Sequence, residues 1–507
     1  MDSSVAAPSQ DTDSGPGLRR QLSIWEAVGI SVALMAPSMA ANINPQGTAG
    51  TVGRAVPLAF ALATVGVLLV SYTFVRLCQA YNHAGSVYGF AGATLGPRTG
   101  VVAGWSLIGT YVFYGVVTSA AFGIFGTDFL QAVGIWPSAP TWAPFVLQAV
   151  ALVGIYLIAS SPVRGGTRLL LAVEGTTVLL ILLVSVVVLV KLVSGTAPGG
   201  HRFDASVFTV PSGTPISALF LGVVFGFLSF AGFEASATLG EEARQPRRDV
   251  PRAILGTAIF GGIYFVVVTA IEVMGFGADK TGVAAFTSSG SLMGDLASQY
   301  IGSWLGDIIT LGAAVSAFGC ALACAVGGSR MVYALSRDGL LPEPLARISA
   351  TRRTPGIATA AVVVAMALIV LVDAAAFGAK PFDVFVWSGT IGTLILLVVY
   401  VLATVGAVKL LFFSGKPRVN RAEIVIPALA LLVLLYTLYR NVLPYPTGAA
   451  AWFPVVTVLW ILAAVVAVFA RPAVTRRAGE LLLADTGLAS RQDGQRTETT
   501  AAGGPRR

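Results

Sequence analysis

Along most of the 507 residues, mostly apolar stretches follow one another with only short polar interruptions. Each is about 20 residues long, the length a helix needs to cross the hydrocarbon core of a bilayer. Twelve spans are expected, at approximately 24–44, 56–80, 100–130, 141–160, 169–194, 215–239, 253–277, 303–330, 356–378, 383–411, 423–443 and 451–470. The third is the least clean, thinned by Gly and polar residues. Only a helix satisfies its backbone groups within one segment in lipid, so each span is read as a helix with permitted breaks. The fold class is therefore an all-α integral membrane protein. Composition agrees, with 55% hydrophobic and 11% charged residues, where soluble domains carry roughly 25% charged.

The basic residues test the count. With the N-terminus in the cytoplasm, the non-cytoplasmic side receives Arg54, Lys191, Arg202, Lys280, Lys380 and Arg440, leaving 26 of the 32 Lys and Arg on the cytoplasmic side. That bias is the positive-inside pattern, and adding or losing one span would reverse part of it. Both termini are expected in the cytoplasm of a multi-pass plasma-membrane protein. Trp136, Trp142, Trp304 and Trp452 fall at outer helix ends, as an aromatic belt does. The net charge of +8 is read as orientation and contact with anionic headgroups, with no nucleic-acid partner. Cys78, Cys320 and Cys324 lie in apolar segments; neither a disulfide framework nor a metal or cofactor pattern is visible. Residues 1–23 are polar and read as a cytoplasmic tail without a signal-peptide pattern. Residues 24–411 form a ten-helix core, 412–470 carry helices 11 and 12, and the tail 471–507 is expected to be disordered.

Two of the spans are flawed. Span 1 reads GISVALMAPSMAANINP: Pro37 removes a helix donor and clashes with the preceding turn, and pushes Ala36 away from helical geometry. Ser38 beside it can cap a restart. Span 6 reads FGFLSFAGFEASA, with Gly232, a weak helix residue, at its middle. These are the first helices of two five-helix sets, 1–5 and 6–10. Interrupted helices at matching positions of two halves mark the binding site of a secondary transporter. Each break offers N–H groups at a positive helix end and carbonyls at a negative one, a pattern that suits a zwitterion. A Pro kink and a Gly packing notch without a ligand are the alternative.

The sequence from Phe225 to Ile254, FGFLSFAGFEASATLGEEARQPRRDVPRAI, resembles the signature of the amino acid–polyamine–organocation superfamily of amino acid permeases. Its matching pieces are Gly232-Phe233-Glu234, Glu241-Glu242, Pro246-Arg247-Arg248 and Pro251-Arg252-Ala253-Ile254. Span 8 ends SRMVYALSRDGLLP, similar to the family's Arg-Asp-Gly-x-x-Pro loop, and Ala84 to Trp105 resembles its loop before helix 3. The resemblance implies a leucine-transporter-like fold of two inverted five-helix repeats plus two C-terminal helices. It implies alternating access around a site between helices 1 and 6. By position, it assigns Ala36, Pro37, Ser38 and Met39 to the substrate carboxylate, and Phe230, Ala231 and Gly232 to the ammonium and side-chain wall. The family's first helix usually breaks at Gly-x-Gly. Ala-Pro-Ser stands here, which leaves open whether the substrate is an ordinary α-amino acid.

Ionisable residues at membrane depth cost roughly 2.5–3.5 kcal/mol each and are functional candidates by default. Glu234, two residues past the Gly232 break, is the coupling candidate. Glu174 in span 5 is placed near the cytoplasm and read first as packing or loop pairing, with coupling as its alternative. Glu272 in span 7 is read as structural. Relatives that work without sodium carry a basic residue in helix 5; none lies inside span 5 here, so the coupling ion stays open, protons included. The mixed charges of Glu241, Glu242, Arg247, Arg248, Asp249 and Arg252, and of Arg337 with Asp338, read equally as inner-gate ion pairs or as a solvated anchor. The expected activity is secondary transport of amino acids or related organic amines, by symport or exchange. The alternatives are a transporter-like nutrient receptor and a carrier of polyamines or other small solutes. A membrane enzyme is disfavoured, because HExxH, a nucleophile elbow and a carboxylate–histidine cluster at membrane depth are all missing, and an ATP-driven pump because no P-loop is visible.

Overall fold

A computed structural model describes residues 24–81, 86–161, 166–239, 245–349, 354–415 and 417–477. The architecture of these residues is all helical. In chain order the helices are α1 (Ile24–Met35), α2 (Pro37–Val52), α3 (Val56–Ala80), α4 (Ser86–Leu95), α5 (Pro97–Ala132), α6 (Ala143–Ala159), α7 (Gly166–Ser194) and α8 (Leu219–Phe230). There follow α9 (Pro246–Phe276), α10 (Lys280–Ser288), α11 (Leu292–Tyr300), α12 (Ser303–Arg337), α13 (Gly356–Phe377), α14 (Pro381–Val408), α15 (Val425–Val442) and α16 (Trp452–Ala470).

Among the described residues nine helical stretches are long and apolar enough to cross a membrane, and the first, Ser31–Ala80, contains both α2 and α3. Two shorter apolar helices, Ala143–Ala159 and Ile216–Phe230, accompany them. Span 3, the thinnest by hydropathy, is the most enclosed: α5 packs against α12, α14, α6 and α4 at the centre of the bundle. Its small residues are there for approach. A Cβ on Gly123 would lie 2.2 Å from the Pro144 carbonyl oxygen of α6. Where helices are pressed together in lipid, such small residues replace bulk hydrophobicity.

Three expectations change. The stretch before span 3, read as a loop, contains α4. The 241–252 segment was expected as a loop, but from Pro246 onward it is the start of α9, with Gln245 flanking it. Pro246 at the first helical position lacks an N–H that a helix start leaves unbonded anyway, whereas Pro251 lies inside the helix and removes one ladder donor there. Glu241 and Glu242 of the expected gate lie outside the described residues; Arg247, Arg248, Asp249 and Arg252 fall on α9. The stretch 278–302, read only as a connection, contains α10 and α11. Asp279 caps α10, its carboxylate accepting from the Gly282 N–H at 2.8 Å. Arg337 and Asp338 do pair, at 3.3 Å, and the Tyr88 hydroxyl donates to the same carboxylate at 3.2 Å. The tails 1–23 and 478–507 lie outside the described residues. Trp142, Trp304 and Trp452 are exposed, each within two residues of a helix start.

Candidate functional site between the two broken helices

The first helix breaks where Pro37 forbids continuation. The α1 ladder closes with the Ala36 N–H on the Val32 carbonyl at 3.1 Å. Ala36 then turns left-handed (φ 46°, ψ 57°), the sole non-glycine with positive φ among the described residues. Pro37 opens α2, and the helical ladder resumes with the Ala40 N–H on the Ala36 carbonyl at 2.9 Å. The second helix breaks after Phe230. The chain runs through a turn at 231–234, with Gly232 at φ 103°, into a short 3-10 turn, Ala235–Leu239.

The breaks touch. A Cβ on Gly232 would fall 2.8 Å from both Cβ and Cγ of Leu34, the residue two before the first break. Met35 and Phe230 converge on Gly261 of α9, where a Cβ would lie 2.7 Å from one and 2.9 Å from the other. Hydrogen bonds join the two helices on both sides of the breaks. Asn44 donates to the Ser229 hydroxyl at 2.7 Å and Thr48 to the Gly222 carbonyl at 3.0 Å. The Ser236 N–H donates to the Ser31 hydroxyl at 3.0 Å. Ala36, Pro37, Ser38, Met39, Phe230, Ala231 and Gly232 are thus gathered at one place, all buried.

Three helices close around the first break. The Ser38 N–H donates to Glu174 Oε1 of α7 at 2.9 Å, and the Met39 N–H to the Ser316 hydroxyl of α12 at 3.3 Å. The Tyr264 hydroxyl of α9 donates to the Pro37 carbonyl at 3.3 Å, and the Cys320 thiol of α12 to the Leu34 carbonyl at 3.2 Å. Glu174 is therefore at the break and not near a membrane surface. Eight residues from the start of α7 at about 1.5 Å per residue is roughly 12 Å of depth. Glu234 sits on the second break. Its Oε2 is buried and makes no hydrogen bond of good geometry, as does the wholly buried Tyr400 hydroxyl of α14 that it faces. Tyr111 and Tyr114 of α5 lie within electrostatic range of the same carboxyl. Glu272 is fully buried on α9, with neither carboxyl oxygen hydrogen-bonded among the described residues.

Access to the site is one-sided. Every residue from Ala36 to Gln46 and from Gly222 to Phe233 is buried, whereas Val32, Ala33, Leu34, Glu234 and Ala235 are partly exposed. Over α2 lie α10 and α11, held by side chains that the sequence did not single out. Asn42 Oδ1 accepts from the Ser291 hydroxyl and the Met293 N–H, both at 2.9 Å, and from the Gly294 N–H at 3.3 Å. Gln46 donates to the Phe286 and Ser289 carbonyls. Polar residues in an otherwise apolar span were the available signal, but their partners lie some 240 residues away.

Known proteins bear on this arrangement. A crystal structure of the manganese transporter of Eremococcus coleocola superposes with a TM-score of 0.52 at 12% identity, covering 92% of this chain and 99% of that one; at that identity the likeness concerns the fold. The branched-chain amino acid permease BcaP of Bacillus subtilis is 26% identical over 364 residues, 69% of this chain and 74% of the relative. An uncharacterized transporter of Mycobacterium tuberculosis is 29% identical over 81% of this chain and 85% of its own. The low-affinity putrescine importer PlaP of Escherichia coli is 24% identical over 64% and 69%. The amino acid permease family model matches residues 30–478, taking in both broken helices and all the helices that close around them. With that match, and two interrupted helices meeting at the centre of a transporter fold, the chain belongs to the amino acid permease family.

Proposed function

We propose that this protein is a secondary active transporter, not an enzyme, that carries amino acids or related organic amines across the plasma membrane by alternating access, with both termini in the cytoplasm. The observation that carries the reading is the meeting of two interrupted helices at matching positions of the two halves, Leu34 pressed against Gly232. Breaks of this kind supply backbone groups at mid-membrane where side chains alone are too costly to place. The substrate sits at Ala36–Met39 on one side and Phe230–Gly232 on the other. Glu234 is the coupling residue for protons, because it is the acid on the break that has one oxygen without a hydrogen-bond partner; Glu174 is the second candidate. The relatives that carry branched-chain amino acids and putrescine support the solute class.

The test is uptake into proteoliposomes holding the purified full-length protein, with radiolabelled amino acids and polyamines. Saturable uptake of at least one, accelerated by an imposed proton gradient or by the same solute trapped inside, is expected. Folded protein that neither binds nor moves any member of the panel would sink the reading.

A further inference from the structure

The amides that the two breaks release can be followed one by one. Pro37 has no N–H. The Ser38 N–H is taken by Glu174 Oε1 at 2.9 Å, the Met39 N–H by Ser316 at 3.3 Å, and the Ala40 N–H by its own helix at 2.9 Å. At the second break the N–H groups of Ala231, Phe233, Ala235 and Ala237 go to backbone carbonyls, and that of Ser236 to Ser31. The amides of Gly232 and Glu234 face the carboxyl of Glu234 itself. A helix start with open N–H groups is a seat for a carboxylate. Here the seat on α2 is filled by the chain's own Glu174, anchored from a different helix 136 residues away in sequence.

The charge inventory runs the same way. Both breaks carry a carboxyl side chain, Glu174 on one and Glu234 on the other. Among the described residues at the breaks there is neither Lys nor Arg; the cation whose field reaches Tyr111 is Arg330, exposed on α12. An α-amino acid brings its own carboxylate into this site and would have to evict Glu174. A solute carrying only ammonium groups leaves Glu174 in place and supplies the positive charge that the site lacks.

We propose that the site takes an aliphatic diamine or polyamine without an α-carboxylate, with Glu174 occupying the position that an amino acid's carboxylate would fill. This rests on the transport reading above and narrows it.

Putrescine and ornithine differ only by the α-carboxylate, so the pair isolates the point. Uptake of each is measured in proteoliposomes of the full-length protein, with leucine as a third solute. The wild type is expected to take up putrescine with a KM at least about tenfold below that of ornithine, the factor one charged contact is worth, and to ignore leucine. Glu174→Gln keeps an oxygen for the Ser38 N–H but removes the charge, and should raise the putrescine KM by a similar factor with little change in thermal midpoint. Ornithine or leucine carried as well as putrescine overturns the diamine assignment and leaves the transport reading standing. Binding and uptake of none of the three by folded protein overturns both. Should Glu174→Gln fail to fold, the putrescine–ornithine comparison in the wild type decides alone.

Discussion

At Gly232 the backbone holds φ 103°, and an added Cβ would press on Leu34 at 2.8 Å. Gly232→Ala therefore meets both conformational strain and a clash. A loss of about 1–3 kcal/mol is expected, read as a lower thermal midpoint in detergent together with loss of uptake. An unchanged midpoint would show that the turn relaxes freely. Glu234 is a carboxyl on the break, facing Tyr400 with Tyr111 and Tyr114 near it. A residue that couples proton to solute must interact differently with the two states. Glu234→Gln keeps shape and hydrogen bonding but cannot titrate, so solute binding should persist while the pH profile of uptake flattens. A wild-type profile in that variant would reduce Glu234 to a cap and move coupling to Glu174. Both breaks were legible in the sequence because Pro37 and Gly232 act locally, through a missing N–H and a missing Cβ. The contact between Glu174 and Ser38 was not. It depends on where α7 crosses α2, which no local pattern encodes, and the apolar residues around Glu174 gave no hint of depth.

Among the elements that sequence reading missed are α10 and α11. Each is nine residues long, half the length of a span, so neither produces the long apolar run by which the other helices are found. Span 3, expected at 100–130, is found, and α5 is continuous over 36 residues; its small residues only lower the hydropathy that announces it. The two short helices lie over α2, where Asn42 holds the start of α11 and Gln46 the end of α10. Removing its side chain with Asn42→Ala leaves the Met293 and Gly294 N–H groups without their acceptor. An unsatisfied buried donor costs about 1–3 kcal/mol, enough to open a small element locally. Amide exchange across Ser289–Ala297 should speed up by one to two orders of magnitude, the factor those energies represent, while exchange in α5 stays slow. Asn42→Asp, which keeps the acceptor oxygen, should restore much of the protection. Equal exchange in the wild type and Asn42→Ala would mean that the start of α11 is held without the Asn42 bonds.

Contacts between helix ends sort the molecule into two faces. Arg76, near the end of α3, pairs with Glu423 just before α15; Tyr88 of α4 bonds Asp338 after α12; Thr354 before α13 donates to the Ser160 carbonyl after α6 at 3.2 Å; and Arg98 at the start of α5 lies over the Phe469 ring near the end of α16. At the other face Lys191 near the end of α7 donates to the Tyr300 carbonyl of α11, Arg440 of α15 to the Ser217 carbonyl before α8 at 3.5 Å, and Phe377 at the end of α13 meets Trp452 at the start of α16. Starts and ends alternate between the faces as they must if each helix crosses once, with α1–α2 and α8 with its 3-10 turn each counted as one crossing. The first face is the one that sequence reading loaded with Arg, and under the proposed orientation it is the cytoplasmic one. Arg247 at the start of α9 and Lys280 at the start of α10 are both exposed, on opposite faces. The native Cys78, Cys320 and Cys324 are buried, which keeps the labelling background low. In intact cells an impermeant thiol reagent should label Lys280→Cys and leave Arg247→Cys untouched, and in inside-out vesicles the pattern should reverse. Labelling of Arg247→Cys from outside would invert the orientation, and labelling of both positions from one side would break the alternation itself and, with it, the count of twelve.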